Sequence, residues 1–294
     1  VTDTHGSNAG EPGALIQLVV TDLDHTLIEN PSHIPAAGEA LRRLGQRGLT
    51  TVLASSKTFA EMEDLHRHAG LPPQPFIFEN GGGLGWPLGQ GPLAQGLAQG
   101  SAVPLQVQGA YGAIAANGDL TRLDGILTEL RDSGGFRFRR FDELSLDTIR
   151  TLTGLDPRLA ALAMRRLTSL PLLWDDSNEK LAGLRQALEP HGLRAVSGGQ
   201  FVHVGPPCDK ATALAQVRRW LAGPAAHGGM LACGDSDNDR GLLEAADIAL
   251  VFSSGQRPPL PLTRPCTVVQ AGGPGPWLAA VEAALGASQP RASA

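Results

Sequence analysis

Cysteine is scarce in this chain: 294 residues hold three, Cys208, Cys233 and Cys266. Three scattered thiols build neither a disulfide framework nor a zinc site. Cys233 lies in an apolar run and reads as a buried structural thiol. Charge is sparse too. Charged residues make up 18%, the formal net charge is −5, and no basic cluster stands out. That excludes nucleic acid as an expected partner, and an anionic ligand would need local positive charge or a metal. No apolar run approaches the ~20 residues of a membrane span, so no membrane partner is expected. Val1 to Gly13 lacks the apolar h-region of a signal peptide. The cytoplasm is the location expected by default.

What is present is a globular composition, 42% hydrophobic, with 37 Gly and 22 Pro that suit many tight loops. The length favours two domains. Leu15 to Leu23, Thr50 to Ala54 and Phe76 to Phe78 read as strands, with helices predicted over Pro35 to Arg47 and Thr58 to His68. The alternation returns late, with strands at Phe201 to Val204, Met230 to Cys233, Ile248 to Phe252 and Thr267 to Val269. Helices are predicted there over Lys210 to Leu221, Asp239 to Ala246 and Trp277 to Leu285. This pattern predicts an α/β fold, a doubly wound parallel-sheet (Rossmann-like) core with helices on both faces.

The middle differs. Gly85 to Ala115 is rich in Gly, Pro, Gln and Leu. Leu120 to Arg131 and Pro157 to Leu167 look helical, and Leu172 to Trp174 looks like a strand. We expect an inserted α+β domain over residues 85–197, a core formed by 1–84 and 198–286, and loose tails at 1–13 and 287–294.

Two acidic motifs follow apolar strands. Leu18-Val19-Val20-Thr21 runs into Asp22-Leu23-Asp24-His25-Thr26, with carboxylates at i and i+2. On an extended segment those side chains point the same way. Two crowded acids lose solvation and repel each other, and a divalent cation such as Mg2+ is the simplest remedy. The second motif, Cys233-Gly234-Asp235-Ser236-Asp237-Asn238-Asp239, packs acids and an amide into a tight loop suited to a hard cation. A polar turn, or capping of the next helix by Asp235 or Asn238, is the plainer reading. Asp22, Ser55, Glu79 and Asp235 all fall at carboxyl ends of predicted strands, where open α/β sheets bind ligands. Ser55 as a helix N-cap and Lys210 as a solvated surface lysine are the plain readings of those two.

The order of Asp22-x-Asp24-x-Thr26, Ser55, Lys210 and the Asp235 loop resembles the haloacid dehalogenase superfamily. The resemblance implies that Asp22 is a nucleophile taking a phosphoryl group and Asp24 a general acid/base. Ser55 would hydrogen-bond the phosphoryl group, and Lys210 would pair with Asp22. It also implies Mg2+ held by Asp22, the Asp24 carbonyl and Asp235, with Asn238 and Asp239 behind.

Further runs narrow the match: Ser55 to Glu61, Phe76-Ile77-Phe78-Glu79-Asn80-Gly81-Gly82, Gly198 to Val204, Gly234 to Asp239, Leu152 to Leu155 and Arg166 to Trp174. From Leu18 to Phe252 the chain resembles the mannosyl-3-phosphoglycerate phosphatases, whose cap is inserted between Ser55 and Lys210. The resemblance implies hydrolysis of a phosphorylated glycoside. It implies substrate contacts from Ser56, Lys57, Glu79, Asn80 and His203, and from Arg166 and Ser169 of the cap. His203 also reads as a satisfied core histidine, and Arg137, Arg139 and Arg140 as a solvated run. His25 stands where Gly is common, and Leu167 and Leu170 replace expected acids, which leaves the glucosyl analogue open as substrate. The rivals are a sucrose-phosphate or trehalose-phosphate type of phosphatase, a mutase that retains the phosphoryl group, and a non-catalytic phosphosugar-binding protein. An intact Asp24 speaks against the last.

Overall fold

The computed structural model of the chain describes residues 15–71, 73–90, 106–115, 120–198, 200–254 and 258–288. In order, the first half comprises β1 (Ile16–Thr21), α1 (Ile34–Gln46), β2 (Thr50–Ala54), α2 (Phe59–His68), β3 (Phe76–Phe78), β4 (Gly83–Pro87), β5 (Gln106–Gln108) and β6 (Tyr111–Ala115). Next come α3 (Leu120–Asp132), β7 (Phe138–Arg140), α4 (Leu146–Thr153), α5 (Pro157–Ala163), β8 (Leu170–Trp174), α6 (Asn178–Leu188), β9 (Arg194–Gly198) and β10 (Phe201–Gly205). The chain closes with α7 (Lys210–Trp220), β11 (Gly229–Gly234), α8 (Arg240–Ala245), β12 (Ile248–Phe252), β13 (Thr267–Val269) and α9 (Pro274–Ser288).

A nine-stranded sheet in the order β13-β12-β11-β1-β2-β3-β4-β6-β5 forms the core. From β13 to β3 every neighbouring pair is parallel, as the strand-helix alternation predicts. Both faces are covered, so β1 reads as a nearly continuous apolar run. Val19 packs on one side with Leu53, Phe76 and Leu231. Leu18 and Val20 pack on the other with Val52, Ile77 and Ala232. That two-residue period is the strand's own. Truncating Leu18, which is fully buried, to Ala would cost roughly 2–5 kcal/mol.

Local chemistry sets the helix ends near the site. α2 opens on a capping box, in which Thr58 accepts from the Glu61 amide and the Glu61 carboxylate accepts from the Thr58 amide. α7 is capped by Asp209, whose carboxylate accepts from Thr212 N (2.7 Å). Such caps contribute about 1 kcal/mol each, and they fix where α7 starts at Lys210 and where α2 starts, two residues past Lys57.

Sheet membership corrects the expected boundaries of the cap, 85–197, and of the second core part, 198–286. β4, β6 and β5 extend the core sheet in antiparallel fashion. β10, expected in the core, instead pairs with β8 and β9 in a four-stranded sheet ordered β7-β8-β10-β9. A five-residue apolar strand carries the same pattern in either sheet, and the pairing that decides between them is non-local. Gly83 and Gly85 let β4 lie flush on β3, since a Cβ at either would strike the ring of Phe78 or Phe76. The helix predicted to Leu167 ends at Ala163. α9 runs through Ala287 and Ser288, and the tails expected at 1–13 and over 289–294 lie outside the described residues.

Candidate active site

The parallel strands deliver their carboxyl ends to one edge of the core sheet, and β1 sits between β11 and β2. Ligand sites of open α/β sheets form at such edges. The Asp22 amide donates to the carbonyl of Cys233 (2.9 Å), which ties the loop after β1 to the end of β11. The chain then turns back through Ile28 N to Leu23 O (2.7 Å) and His25 N to Ile28 O (3.0 Å). His25 makes this turn at φ +62. Glycine would adopt that backbone freely, and a side chain there costs of order 1 kcal/mol.

Beneath the turn lies a buried charge cluster. Asp22, Lys210 and Asp239 are 5%, 1% and 0% exposed. Lys210 Nζ donates to Asp22 Oδ1 (2.5 Å) and to Asp239 Oδ1 (2.6 Å). The other Asp239 oxygen accepts from the amides of Asp235 (3.1 Å) and Ser236 (3.3 Å). Gly234 leaves room for this approach, since a Cβ there would collide with the Asp239 side chain.

Electrostatics separates the members. Burial pushes the Asp22 carboxyl well above the usual aspartate range, Asp239 pushes it further, and Lys210 only partly offsets this. Burial and then Asp239 also raise Asp235, which is half-buried. Burial works against the charge on Lys210, but Asp22 and Asp239 outweigh it, so its ammonium is held above the ordinary lysine range. Oxygens of Asp22, Asp235 and Asp239 lie within 4.8 Å of one another. Three carboxylates thus face one ammonium. The arrangement fits a bound cation, and the oxygen donors suit a hard one. Asp239 has both oxygens engaged, which leaves Asp22 and Asp235 as the carboxylate donors.

Around this floor, Ser55 is fully buried at the end of β2, and its hydroxyl accepts from the Lys57 amide (3.2 Å). It does not cap α2, because Thr58 does. Lys57 Nζ lies 3.0 Å from Asp24 Oδ2. Burial opposes the Lys57 charge, but Asp24 and Glu61 outweigh it and raise its pKa. This pair places a cation beside the second aspartate of the motif, a link with no signature in sequence spacing. Neither Asp235 nor Asn238 caps α8. Asn238 Nδ2 donates to Asn80 Oδ1 (3.0 Å), and Asp235 Oδ1 accepts from Ser236 (3.1 Å).

Residues 19–85 match the family model of haloacid dehalogenase-like hydrolases. Solved structures agree over a longer span. One, a Thermoplasma acidophilum protein, has a TM-score of 0.59 at 16% identity, covering 92% of this chain and 99% of its own. A Bacteroides thetaiotaomicron protein among the phosphatases of the haloalkanoate superfamily has a TM-score of 0.53 at 19% identity, covering 84% and 88%. The sucrose-phosphatase of Synechocystis, in complex with sucrose and phosphate, has a TM-score of 0.54 at 16% identity, covering 92% and 98%. The fold is that of the haloacid dehalogenase-like hydrolases. The four-stranded sheet with α3 to α6 stands where a cap is expected from the sequence, and is termed the cap.

Within this haloacid dehalogenase-like fold, Asp22, Asp24, Ser55, Lys210, Asp235, Asn238 and Asp239 gather at the carboxyl edge of the core sheet. The residues read as substrate contacts divide. Lys57 and Asn80 border the floor. Arg166 reaches from the cap, with Nη1 donating to the Ser56 carbonyl (3.3 Å) and Nη2 to Ser169 Oγ (2.7 Å). Its Nε, and Nδ1 of His203, are buried without a partner among the described residues. His203 belongs to the cap sheet rather than the core. Burial and then the Arg166 charge lower its pKa to about 4, so it is neutral at pH 7.

Glu79 corrects the sequence reading. Its side chain is 0% exposed, and both oxygens are engaged by the cap. Leu167 N (2.8 Å), Thr168 N (3.0 Å), Thr168 Oγ1 (3.0 Å) and Ser169 Oγ (2.7 Å) all donate to it. Three of these bonds fall on Oε2 and one on Oε1, so the carboxylate faces the cap and is closed off from solvent. Arg137 and Arg139 are exposed and pair with Asp176 and Asp175, as a solvated run would, whereas Arg140 is largely enclosed among Asp124, Asp142 and Glu143.

Proposed function

We propose that the protein is a Mg2+-dependent phosphoric monoester hydrolase of phosphorylated sugars. Its substrate would be mannosyl-3-phosphoglycerate or the glucosyl analogue. The observation that carries the hydrolase reading is the buried Asp22–Lys210–Asp239 cluster. It presents an under-compensated carboxylate at the switch point of the sheet, with Asp24 two residues on.

Asp22 and Asp235, with the Asp24 carbonyl, would hold the cation. When bound, it would offset the crowded negative charge and stabilise charge on the transferring phosphoryl group. Asp22 Oδ attacks phosphorus while the bond to the sugar or glycerate oxygen breaks, forming an aspartyl phosphate. Asp24 acts as general acid and gives a proton to the leaving oxygen. It then takes a proton from water, whose oxygen bonds to phosphorus as the Asp22–phosphorus bond breaks. Lys210 keeps Asp22 in line and, with Ser55 and Lys57, meets the phosphoryl oxygens. Asp239 fixes Lys210.

Arg166 supports a second anionic group on the substrate, because its Nε on the cap side has no partner among the described residues. A sucrose-phosphate phosphatase is the second reading, favoured by the likeness to the Synechocystis structure. Phosphate release across a phosphosugar panel, with and without Mg2+, separates these. Preference for a glycosyl-3-phosphoglycerate is expected, chelation should stop turnover, and Mg2+ should restore it. Best turnover of sucrose phosphate would move the substrate to the second reading, and full turnover in chelator would remove the metal. Equal kcat/KM across p-nitrophenyl phosphate, hexose phosphates and both glycosyl phosphoglycerates would overturn the substrate class while leaving a phosphatase.

A further inference from the structure

Glu79 lies one residue past β3, in a turn that touches the cap, the phosphoryl-site loop and the start of α7 at once. Its carboxylate collects four hydrogen bonds from three consecutive cap residues, Leu167, Thr168 and Ser169. Arg166 Nη2 adds its charge at 3.5 Å. The backbone of the same turn is bound to the core. Glu79 N donates to the Lys57 carbonyl (2.8 Å) and Asn80 N to the Ser55 carbonyl (2.9 Å). Glu79 and Asn80 hold φ of +48 and +56, a left-handed conformation that non-glycine residues keep only where the surroundings dictate it. Gly81 packs so closely on the Asp209 carbonyl, next to Lys210, that a Cβ would collide, and a Cβ at Gly82 would collide with Thr168. The turn therefore has no slack toward either side.

We infer that Glu79 is a positioning residue that clamps cap residues 166–169 over the Ser55–Lys57 loop and thereby sets selectivity for substrates the cap must hold. It acts through Arg166 and Ser169 and touches no substrate itself. The inference rests on the phosphatase reading for its selectivity half only. A small ester that leaves the cap unused would be indifferent to the clamp. A large phosphorylated glycoside would not, because displacement of a binding group by an ångström costs on the order of 10²-fold in rate.

Two measurements on Glu79→Gln test this in the full chain. The amide places an NH2 among donors and removes the charge facing Arg166. The kcat/KM ratio of the best phosphorylated glycoside to p-nitrophenyl phosphate should fall roughly 10- to 100-fold, with most of the loss in the glycoside and little in the ester. Hydrogen exchange at the Leu167 and Thr168 amides should accelerate over wild type. Thr168→Val should shift the ratio the same way by less, and the double variant should be no worse than Glu79→Gln alone, since coupled residues are not additive. Unchanged exchange, an equal loss for both substrates, or additive effects of Glu79→Gln and Thr168→Val would each overturn the clamp. If wild type releases no phosphate from any ester, the phosphatase reading and the selectivity half fall together, and exchange alone decides the clamp. If Glu79→Gln does not fold, Thr168→Val alone carries the test through the same ratio and the same amides, and no change in either overturns it.

Discussion

Two buried acids two strands apart, Asp22 after β1 and Glu79 after β3, have opposite surroundings. Glu79 has four hydrogen-bond donors and an arginine around one carboxylate. Asp22 has one lysine, shared with Asp239, and further carboxylates beyond it. The first is a finished structural contact. The second is short of positive charge: burial first and then Asp239 raise its pKa, and Lys210 only partly offsets them. Burial alone therefore does not distinguish a working carboxylate from a structural one, whereas the balance of partners does. A cation and a phosphate oxygen would complete the Asp22 environment, while Glu79 is already held by the cap.

Removing each charge sharpens that contrast. Asp22→Asn should abolish turnover and leave substrate binding, because an amide keeps the shape but cannot attack phosphorus. Near wild-type rates in that variant would exclude the covalent route. Its stability should move the other way from Glu79→Gln. With its folded pKa raised, Asp22 favours folding fully only below the ordinary aspartate range, and that contribution is lost as pH rises through the folded value. At neutral pH and without metal, Asp22→Asn should thus unfold at equal or higher urea than wild type. Glu79→Gln leaves buried donors unsatisfied and should lose about 1–3 kcal/mol. The same sign in both urea titrations would break the distinction between the two acids.

Asp24→Asn comes next. Loss of a general acid/base should lower kcat by roughly 10² to 10⁴, and burst experiments should show which half-reaction slows. A change under threefold would leave Lys57, its ion-pair partner, as the better candidate for the proton-handling neighbourhood. Lys210→Met then tests the floor itself. It leaves Asp22 and Asp239 buried without their shared cation, a loss of about 3–5 kcal/mol for a broken buried pair. Adding Asp22→Asn to it should recover part of the loss, since one unpaired charge disappears. Strict additivity in the unfolding free energies would mean that Lys210 and Asp22 do not depend on each other.

The floor was legible in the sequence because its residues lie within short motifs after apolar strands. The i, i+2 acids, Lys210 opening a helix, and the Asp235–Asp239 loop each carry a local pattern that folding preserves. The parallel half of the sheet was legible for the same reason. The clamp was not. Glu79 and Leu167 are 88 residues apart, and no periodicity joins them. The resemblance brought Glu79, Arg166 and Ser169 together as substrate residues, and the structure keeps them together but turns Glu79 toward the cap. β10 was assigned to the wrong sheet because strand pattern reports faces and not partners. The Lys57–Asp24 and Asp64–Arg158 pairs are tertiary, and a lone Lys or Arg in sequence reads as solvated.

The last test lies on α2. His66 is fully enclosed, with Nδ1 against the Met62 carbonyl (2.8 Å) and its ring beside Phe76 and Tyr111. Burial lowers its pKa to about 4, so the folded protein keeps it neutral where the unfolded chain would take a proton. For a depressed histidine the contribution is complete above the ordinary value of 6.5 and is lost as pH falls from there to about 4. Over that window the loss amounts to of order 3 kcal/mol. Asp22 and Asp235 act in the reverse sense, since their raised pKa values make the unfolded chain bind fewer protons as pH falls toward the ordinary aspartate range. His203, likewise lowered to about 4 by burial and the Arg166 charge, adds to the fall. Urea titrations of metal-free protein should therefore show stability falling from pH 6.5 downward by less than the two histidines alone would give. His66→Gln should flatten the fall, and Asp22→Asn should steepen it. A His66→Gln profile parallel to wild type from pH 6.5 to 4 would show that the ring accepts a proton in the folded state and that its burial costs nothing in acid.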